Sequence, residues 1–505
     1  MGEAARLAEL LGSLSLATDI AAGLPAETAI RTSLVAVRLG AAAGVQGHEL
    51  HDVYYTGLLR FLGCSAWSHE MAQRFAAGDD LGLMRELTPG DARRPTDMIK
   101  RALRGIDPSA PLAERGRAFA RFATSPNAGY ELGAAHCELA VLLARKLGMS
   151  EGVIRNLGEI YERWDGRGAP AKIRGDAIRL GARLIAAAWR IAAHHALGGP
   201  FEALETVAHR AGTEIDPGLA KLVAKEGGAL VVGLDRVSAW SAFLDAEPRP
   251  RLHTSRVEDI ARVFAHFSDV KSPWTVGHSI AVASLVPAEN EKLRIAGLLH
   301  DVGRVAVPNG VWDKRGPLDA SERERMRAHS WETERILSRA PLFAETATLA
   351  SMAHERIDGS GYHRKLPGVG LDRDARLLAV ADVYAALTQD RPHRKAKTTS
   401  EAADLLVKEA LCKDAVDAVL AAAGLVRGRR AQNPAALTDR EIEIVRMVAR
   451  GQANKQIADA LDLSPSTVKR HLENIFGKVK LRTRAAIAVW ALENDLLQSS
   501  FDATD

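Results

Sequence analysis

The feature that most limits how this chain can fold is an internal repeat. The stretch "YERWDGRGAP" begins at Tyr161, and "HERIDGSGYH" begins at His354. In the same register "GARLIAAAW" matches "DARLLAVAD", and upstream of these "GLLRFLGC" matches "GLLHDVGR". Self-similarity of this kind means that one structural unit occurs more than once in a chain. We therefore expect most of the chain to consist of two copies of one unit.

Apolar residues recur with helical spacing along nearly the whole chain, and strand-like alternation is scarce. Two breaks interrupt this pattern: "LDAEPRPRLH" carries two prolines, and "GLVRGRRAQNPAALT" is rich in Gly, Pro and Arg. The pattern predicts an all-α fold, with tandem helical bundles at 1–245 and 250–424 and a small four-helix domain at 437–505. Within the first bundle, "AAGDDLGLMRELTPGDARRPTDMIK" predicts an insertion or a long loop.

The composition narrows the cellular setting. A formal net charge of +4 over 505 residues excludes a general affinity for polyanions, so any nucleic-acid surface must be local. Three scattered cysteines argue against a disulfide framework. The N-terminus lacks a basic region ahead of an apolar run and predicts an amphipathic helix, and no stretch reaches the roughly 18 uncharged apolar residues that a bilayer requires. We expect a cytoplasmic protein that does not engage a membrane.

The two copies differ in the residues that can bind a metal ion. In the second copy six matched positions carry imidazole or carboxylate groups: His278, His300, Asp301, His329, His354 and Asp382. The first copy has at those positions Thr32, Arg60, Phe61, His136, Tyr161 and Trp189. We predict that the first copy keeps the packing and lacks the metal, with its histidine simply packed and its "DGRG" loop structural.

Taken alone, any one of these histidines is as well explained by a satisfied polar residue in a helix. As a set, imidazoles and carboxylates suit divalent iron, manganese, zinc or nickel. The adjacent His300 and Asp301 can place one group on each of two ions, or the carboxylate can bridge them. Two ions lower the pKa of a bound water and hold both oxygens of an in-line displacement at phosphorus. We predict a catalytic role for Asp301, and for Arg304 as the cation that neutralises a substrate phosphate.

From about residue 275 to residue 405 the second copy resembles the HD-GYP family of metal-dependent phosphodiesterases, within the HD superfamily. The resemblance is carried, in order, by "TVGHS", "LLHDVGRVAVP", "MRAHS", "AHERIDGSGYHRKLPG" and "ARLLAVADVYAALTQDRPHRKA". It implies a fold of HD-type bundles and hydrolysis of cyclic diguanylate with iron or manganese. It also implies a loop that shapes the substrate pocket, which in this chain contains Asp358, Gly359, Gly361 and Tyr362.

Four positions depart from the family pattern. Ala353 stands where the family usually has the first of two adjacent histidines, and Trp274 stands where three-metal members have a glutamate. Arg304 replaces the lysine of the "HDxGK" motif, and His363 replaces the proline of "GYP". Because one ligand is missing, we expect one or two ions and no third.

The segment from residue 437 onward predicts a helix-turn-helix. Thr438 with Glu441 three residues later forms a capping box, and that helix is expected to end at Gly451. Ser464 followed by Pro465 opens a later helix, which in such a motif enters the major groove. Helical spacing assigns the apolar seam to Val468, Leu472, Ile475 and Val479. The residues expected to face DNA are Asn454, Lys455, Ser464, Ser466, Thr467, Lys469, Arg470, Asn474 and Lys478.

Periodicity alone suits a small helical interaction domain with a charged, solvated face equally well. The segment, however, resembles the LuxR-type (GerE-type) helix-turn-helix throughout its length, through "LTDRE", "ARGQANKQIA", "LSPSTVKRHLENIFGKV" and "RTRAA". The resemblance implies binding to double-stranded DNA as a homodimer, with the last helix, near 485–497, supplying the dimer contact.

Two functional hypotheses follow. In the first, the protein is a transcriptional regulator in which a metal or a cyclic dinucleotide bound to the second copy changes DNA affinity, which requires different affinities for two states. In the second, an active cyclic diguanylate phosphodiesterase carries an accessory DNA-binding tail. A metal-free interaction scaffold is a third reading. The sequence favours the regulator and leaves open whether its core senses or hydrolyses the phosphodiester.

Overall fold

The computed structural model describes residues 5–91, 93–248, 252–253, 257–425, 435, 437–494 and 496–497. The chain forms two compact bodies. The first contains Met1–Val263 with the segments Val305–Gly310 and Arg335–Ala344, and the second contains Phe264–Arg304, Val311–Glu334 and Glu345–Asp505. Most of the second break and part of the first, at 426–434, 436 and 249–251, lie outside the described residues. The three-domain division therefore stays a prediction.

The elements up to residue 253 are mainly helices. They are β1 (Ala5–Arg6), α1 (Leu7–Ala21), α2 (Thr28–Ala42), α3 (Gly47–Leu58), α4 (Ser68–Arg74), α5 (Asp80–Leu87), α6 (Pro95–Gly105), α7 (Leu112–Ala123), α8 (Ala128–Lys146), α9 (Glu151–Leu157), α10 (Leu180–Arg210), α11 (Pro217–Val231), α12 (Trp240–Asp245) and β2 (Leu252–His253). The two strands pair antiparallel, with Ala5 opposite His253. Among the described residues this short pair is the exception to an otherwise helical fold, so the all-α prediction is confirmed.

In the first body, α10 packs against α2, α3 and α11. The helix is interrupted at Gly199, where φ is 80°, ahead of Pro200, whose nitrogen carries no hydrogen. The N-terminal helix α1 differs from the amphipathic helix expected there, because nearly all of its residues are buried, including Ser13, Thr18 and Asp19. Local hydrogen bonds make this burial tolerable, since Thr18 Oγ1 donates to Ser15 O over 2.8 Å.

The segment expected to be an insertion or a long loop contains two helices, α5 and α6, that pack on each other. Helix α5 is capped by Asp79, whose carboxylate accepts the N–H of Gly82 at 2.8 Å. Helix α6 starts at Pro95, a position where the missing N–H costs nothing. Asp79 and Pro95 are therefore helix-start residues in this segment.

The elements beyond residue 256 continue the helical pattern. They are α13 (Val257–Asp269), α14 (His278–Ser284), α15 (Glu291–Leu299), α16 (Asn309–Trp312), α17 (Ala320–Leu337), α18 (Ala344–Ser351), α19 (Arg373–Leu387), α20 (Thr399–Leu406), α21 (Lys413–Leu425), α22 (Asp439–Ala449), α23 (Asn454–Leu461), α24 (Pro465–Val479) and α25 (Arg484–Glu493). In the second body α19 packs against α14, α15, α20 and α21, so one helix links most of the bundle.

The C-terminal helices α22–α25 form the small four-helix domain expected from the sequence. The predicted capping box is present, because Thr438 Oγ1 accepts from Glu441 N and the Glu441 carboxylate accepts from Thr438 N at 2.7 Å. Ser464 caps α24 by accepting the N–H of Thr467 at 3.0 Å. The core of the domain contains, among others, Ile444, Val445, Ile457, Val468, Leu472, Ile475 and Ile487. In the described part of the chain, no helix is long and apolar enough to cross a membrane.

Candidate metal centre

Five elements of the second body deliver the six predicted ligands to one buried place. His278 is the first residue of α14, His300 and Asp301 directly follow α15, and Asp382 lies in α19. His329 lies in α17, and His354 follows α18. At most 8% of any of these residues is exposed. The structure thus brings together residues that are more than one hundred positions apart in sequence.

Asp301 lies between two pairs of imidazoles. Its Oδ1 is 3.0 Å from His329 Nε2 and 3.3 Å from His354 Nε2. Its Oδ2 is 3.3 Å from His300 Nε2 and 3.8 Å from His278 Nε2. The donor atoms form two clusters, one with His278 and His300 and one with His329 and His354, and Asp301 belongs to both. One carboxylate is therefore placed to bridge two cation positions.

Asp382 provides a second carboxylate to the same centre. Its Oδ1 lies 3.1 Å from His278 Nε2 and 3.6 Å from His300 Nε2, and its Oδ2 lies 3.0 Å from His354 Nδ1. The geometry therefore surrounds four imidazoles with two carboxylates, and both carboxylates are buried. Such a concentration of unprotonated acids in a dry site is stable only with positive charge nearby.

In three of the imidazoles, the ring nitrogen that faces away from the centre donates a hydrogen bond to an acceptor. The acceptors are Gln389 Oε1 for His278 Nδ1 at 3.0 Å, Gly297 O for His300 Nδ1 at 2.8 Å, and Met326 O for His329 Nδ1. A hydrogen bond from Nδ1–H leaves the lone pair on Nε2, which points at the carboxylates. His300 Nε2 is buried and has no hydrogen-bond partner among the residues that the structure describes. This donor set fits divalent metal ions.

The electrostatics of the centre favour its charged forms. Burial alone would lower the pKa of the His300 imidazole, but Asp301 and Asp382 raise that pKa to about 10. Burial would raise the pKa of Asp301, yet Arg304 and His300 hold it well below its usual range. Both acids are thus carboxylates at neutral pH, and without a metal the His300 ring retains a proton.

Arg304 points at the metal ligands rather than at solvent. Its guanidinium forms an ion pair with Asp301, lies 3.6 Å from Asp269 Oδ1 and stacks 4.5 Å from the centre of the Trp312 ring. Only 2% of Arg304 is exposed. These contacts favour a role in orienting Asp301 and keeping it ionised. Arg304 would therefore act on a substrate phosphate only indirectly, through its effect on the Asp301 carboxylate.

The loop after His354 forms one wall of the centre. The Tyr362 ring stacks on the His354 ring, with centroids 4.7 Å apart, and meets the His329 ring edge-on. Asp358 is exposed and accepts the N–H of Ser360 at 2.9 Å, which shapes the turn. Of the four predicted loop residues, Tyr362 is the one whose contacts with the ligands are direct.

Two glycines let this loop close. Gly359 has a φ of 77°, and a Cβ on Gly361 would come within 2.4 Å of Glu355 Oε2. The Glu355 carboxylate accepts the N–H groups of Arg364 and Leu366 at 3.0 and 3.2 Å. In the first copy Glu162 accepts the N–H groups of Ala171 and Lys172 at 2.6 and 3.0 Å. The loop scaffold is therefore the same in both copies and independent of the metal ligands.

Three contributors to the centre were not identified from the sequence. Gln389 holds His278, and Arg391 Nη2 approaches His278 Nδ1 to 3.3 Å. Asp269 accepts the backbone and hydroxyl of Ser279 at 2.9 and 2.8 Å, which anchors the start of α14. Arg391 and Gln389 both lie in the stretch "TQDRPHR". They were not identified because an amide or a guanidinium that contacts a candidate ligand follows no characteristic spacing in sequence.

In the first copy, the positions matched to ligands surround a cation of the chain itself. The Arg60 guanidinium carbon lies 5.5 Å from the centres of the Phe61 and Tyr161 rings and 5.1 Å from that of Trp189. His136 Nε2 donates to the Arg60 carbonyl at 2.7 Å. Aromatic faces attract such a cation. Arg60 thus occupies the centre of the first copy, and His136 is a packed histidine there.

The DNA-facing set predicted from the sequence lies on α23, α24 and the turn between them. Lys455, Lys469, Arg470 and Asn474 are exposed, as are Ser464 and Ser466, and Thr467 is half-buried. Asn454 Oδ1 accepts from Arg484 at 3.2 Å, and Lys478 forms an ion pair of 2.6 Å with Glu441. These last two side chains are therefore partly engaged within the domain.

Residues 127–219 and 253–417 match the HD domain family, so both copies of the repeat are recognised. The chain belongs to the HD domain family. Residues 435–491 match the luxR family of bacterial regulatory proteins. The protein thus combines a tandem HD core with a LuxR-type helix-turn-helix domain.

Similar proteins include enzymes that act on cyclic dinucleotides. The 3'3'-cGAMP-specific phosphodiesterase 3 of Vibrio cholerae is 30% identical over 438 residues, which cover 81% of this chain and 92% of that protein. A cyclic di-GMP phosphodiesterase of Pseudomonas aeruginosa is 32% identical over 198 residues, 34% of this chain and 48% of that protein. The crystal structure of a cyclic GMP-AMP-specific phosphodiesterase of V. cholerae superimposes with a TM-score of 0.56, 26% identity, and coverage of 84% of this chain and 98% of that one.

The Gln389 contact predicts an effect on metal affinity. Replacing Gln389 with Leu removes the acceptor that fixes the His278 ring, and losses of this kind typically weaken metal binding about 10- to 100-fold. We expect Gln389→Leu to lower Mn²⁺ affinity by at least about tenfold, measured by calorimetric titration. Gln389→Glu keeps an acceptor and is the matched control. Equal affinity in the Leu variant and the wild type would contradict the assignment.

The raised pKa of His300 predicts that metal binding releases protons. Mn²⁺ competes with the proton on His300, which the metal-free protein holds up to a pKa of about 10. Affinity should therefore rise with pH, by about tenfold per pH unit for each proton released, over roughly pH 6 to 9. Calorimetry in two buffers of different ionisation enthalpy counts the protons. A pH-independent affinity over this range would contradict the proton assigned to His300 in the metal-free protein.

Proposed function

We propose that the second copy is a metal-dependent phosphodiesterase centre that opens a cyclic dinucleotide, in a protein whose tail binds DNA. The observation that supports this most is the place of Asp301, whose two oxygens face two different imidazole pairs. We propose iron or manganese as the cofactor, with one or two ions. When bound, the ions would supply an activated water and stabilise the charge that develops at phosphorus.

The side chains of the chain have distinct tasks in this proposal. His278, His300, His329, His354 and Asp382, together with Asp301, would hold the metal. Arg304 keeps Asp301 ionised and oriented through their ion pair, and thereby acts as a positioning residue. The Asp358–Gly361 turn and the Tyr362 ring beside His354 would form the wall against which the substrate lies.

For the substrate we propose 3'3'-cGAMP first and cyclic di-GMP second. The relative that this chain matches over most of its length is named for 3'3'-cGAMP, and a shorter match is named for cyclic di-GMP. Both compounds are cyclic dinucleotides, so the same in-line displacement at phosphorus opens either ring. The absent histidine at Ala353 leaves the centre with four imidazoles, which is enough for the two clusters described above.

Hydrolysis is tested with matched variants of the two copies. Asp301→Ala and His329→Ala should reduce hydrolysis of 3'3'-cGAMP and cyclic di-GMP to the level without enzyme, because the shared carboxylate or one of its partners is lost. His136→Ala, at the matched position of the first copy, should retain activity. Product formation is followed by chromatography after reconstitution with Mn²⁺ or Fe²⁺. Equal activity in Asp301→Ala and the wild type would identify a contaminant and contradict the proposal.

A role as a DNA-binding regulator is the second proposal, and it is compatible with the first. It is supported by α24, a helix that follows a tight turn and on which Lys469, Arg470 and Asn474 are exposed. Lysine suits phosphate, and arginine and asparagine can read base edges. We propose double-stranded DNA as the partner of this surface, with a homodimer as the binding form.

The DNA contact is tested by the salt dependence of binding. Lys469→Ala should weaken binding to a random-sequence duplex and reduce the slope of log affinity against log salt by about one. Lys408→Ala removes the same charge from an exposed position outside this domain and should leave both unchanged. The measurement is fluorescence anisotropy over a range of salt concentrations. If both variants behaved alike, α24 would not be the contact surface.

A further inference from the structure

The helix-turn-helix domain lies against the segment that leads into the metal centre. This docking segment, residues 273–277, ends one residue before His278. Val276 packs against the hydrophobic core of α22–α25. Leu492 of α25 contacts Gly277, and Gly451, after α22, contacts the ring of Pro273. The domain therefore touches the second copy through two separate parts of its surface.

Glycine makes both contacts possible. Gly277 has a φ of 81°, and a Cβ there would lie 2.6 Å from Leu492 Cδ1. Gly451 has a φ of 73°, and a Cβ there would lie 2.3 Å from Pro273 Cβ. A larger residue at either place would force the two surfaces apart. The close approach is thus specified by the sequence on both sides of the contact.

A polar contact adds to this surface. Glu493, at the end of α25, places Oε1 3.3 Å from His266 Nε2 on α13. The His266 side chain is buried, with 4% exposed. Burying the imidazole without a polar partner would cost free energy, because the ring would give up its hydrogen bonds to water. The pair of His266 and Glu493 therefore favours one defined docking position.

Hydrogen bonds also connect the docking segment to Arg391 and Asp269, two residues that lie close to His278 or to the start of its helix. Arg391 donates to the carbonyl of Trp274 and, with its other nitrogen, approaches His278 Nδ1 to 3.3 Å. Thr275 Oγ1 donates to Asp269 O at 2.8 Å. Asp269 also anchors the start of α14, where His278 is the first residue. The backbone that the domain touches is therefore the backbone that positions a metal ligand.

The contact does not cover the exposed residues of α24 that are proposed to face DNA. Lys469, Arg470 and Asn474 remain exposed while the domain is docked through Gly451 and Leu492. Docking therefore uses a part of the domain other than the exposed residues of α24. A change in docking can reach the DNA-binding domain without competing for its proposed DNA contacts.

We propose that docking of the helix-turn-helix domain and occupancy of the metal centre stabilise each other through the docking segment. The inference rests on the metal centre of the proposed function. A metal ion on His278 fixes residues 273–278 and so favours the docked arrangement, and docking in turn raises metal affinity. Coupling of this kind is reciprocal, and typical values correspond to about 5- to 150-fold in affinity.

The test uses Leu492→Glu in the full chain. Leu492 lies outside the core of its own domain and outside the proposed metal and DNA contacts, so a carboxylate there disrupts docking without removing a metal or DNA contact. The control is Ala460→Glu, which adds the same charge at an exposed position on α23. Mn²⁺ affinity is measured by titration, and hydrogen exchange of residues 484–493 is measured with and without Mn²⁺. Binding to a random-sequence duplex checks that the domain is folded.

We expect Mn²⁺ to slow exchange in 484–493 in the wild type and the control, and not in Leu492→Glu. Mn²⁺ affinity should be at least about fivefold weaker in Leu492→Glu. Glu493→Gln, which removes the charge opposite His266, should act in the same direction and serves if the first variant does not fold. Equal Mn²⁺ affinity in all variants, with exchange in 484–493 unaffected by Mn²⁺, would overturn the coupling and leave the metal centre intact. Absence of Mn²⁺ binding in the wild type would overturn both proposals.

Discussion

The carboxylate of Asp301 is the constraint on which the centre of the second copy depends. It is buried, it lies within 3.8 Å of four imidazoles, and it forms an ion pair with Arg304. An unpartnered carboxylate in such a place would be costly, so each of these partners contributes to keeping the charge. Because the partners come from different helices, satisfying one charge fixes how α14, α15, α17 and the end of α18 meet.

The two copies differ in the cation that the centre of each can accommodate. In the second copy the helices converge on carboxylates and imidazoles that fit metal ions. In the first copy they converge on Arg60, enclosed by Phe61, Tyr161 and Trp189. The loop held by Glu162 in one copy and Glu355 in the other is built alike. The two copies therefore share this loop scaffold, although the first encloses a guanidinium in aromatic rings and the second brings carboxylates and imidazoles together.

Much of the fold and of the candidate site could be predicted from local sequence patterns. Caps such as Thr438 and Ser464 determine where helices begin. The repeat singled out six candidate positions, which the structure brings together, because a substitution at a matched site is visible without a structure. Burial of α1 could not be predicted, because partners such as the carbonyl of Ile336 for Ser13 and the N–H of Ala29 for Asp19 come from outside the helix. Gln389 and Arg391 act from a second layer, and the contact of Leu492 with Gly277 joins surfaces more than two hundred residues apart. Such contacts arise from tertiary packing, which has no periodic signature.

The arginine cage has a consequence for how the molecule responds to its surroundings. Arg60 is part of the chain, so the first copy carries its central charge from synthesis onward and cannot lose it to a chelator. In the second copy a bound metal ion would take the place of the proton on His300, and it would exchange as supply changes. Metal starvation would therefore leave the charge at the centre of the first copy unchanged, while it would change the electrostatics of the centre of the second.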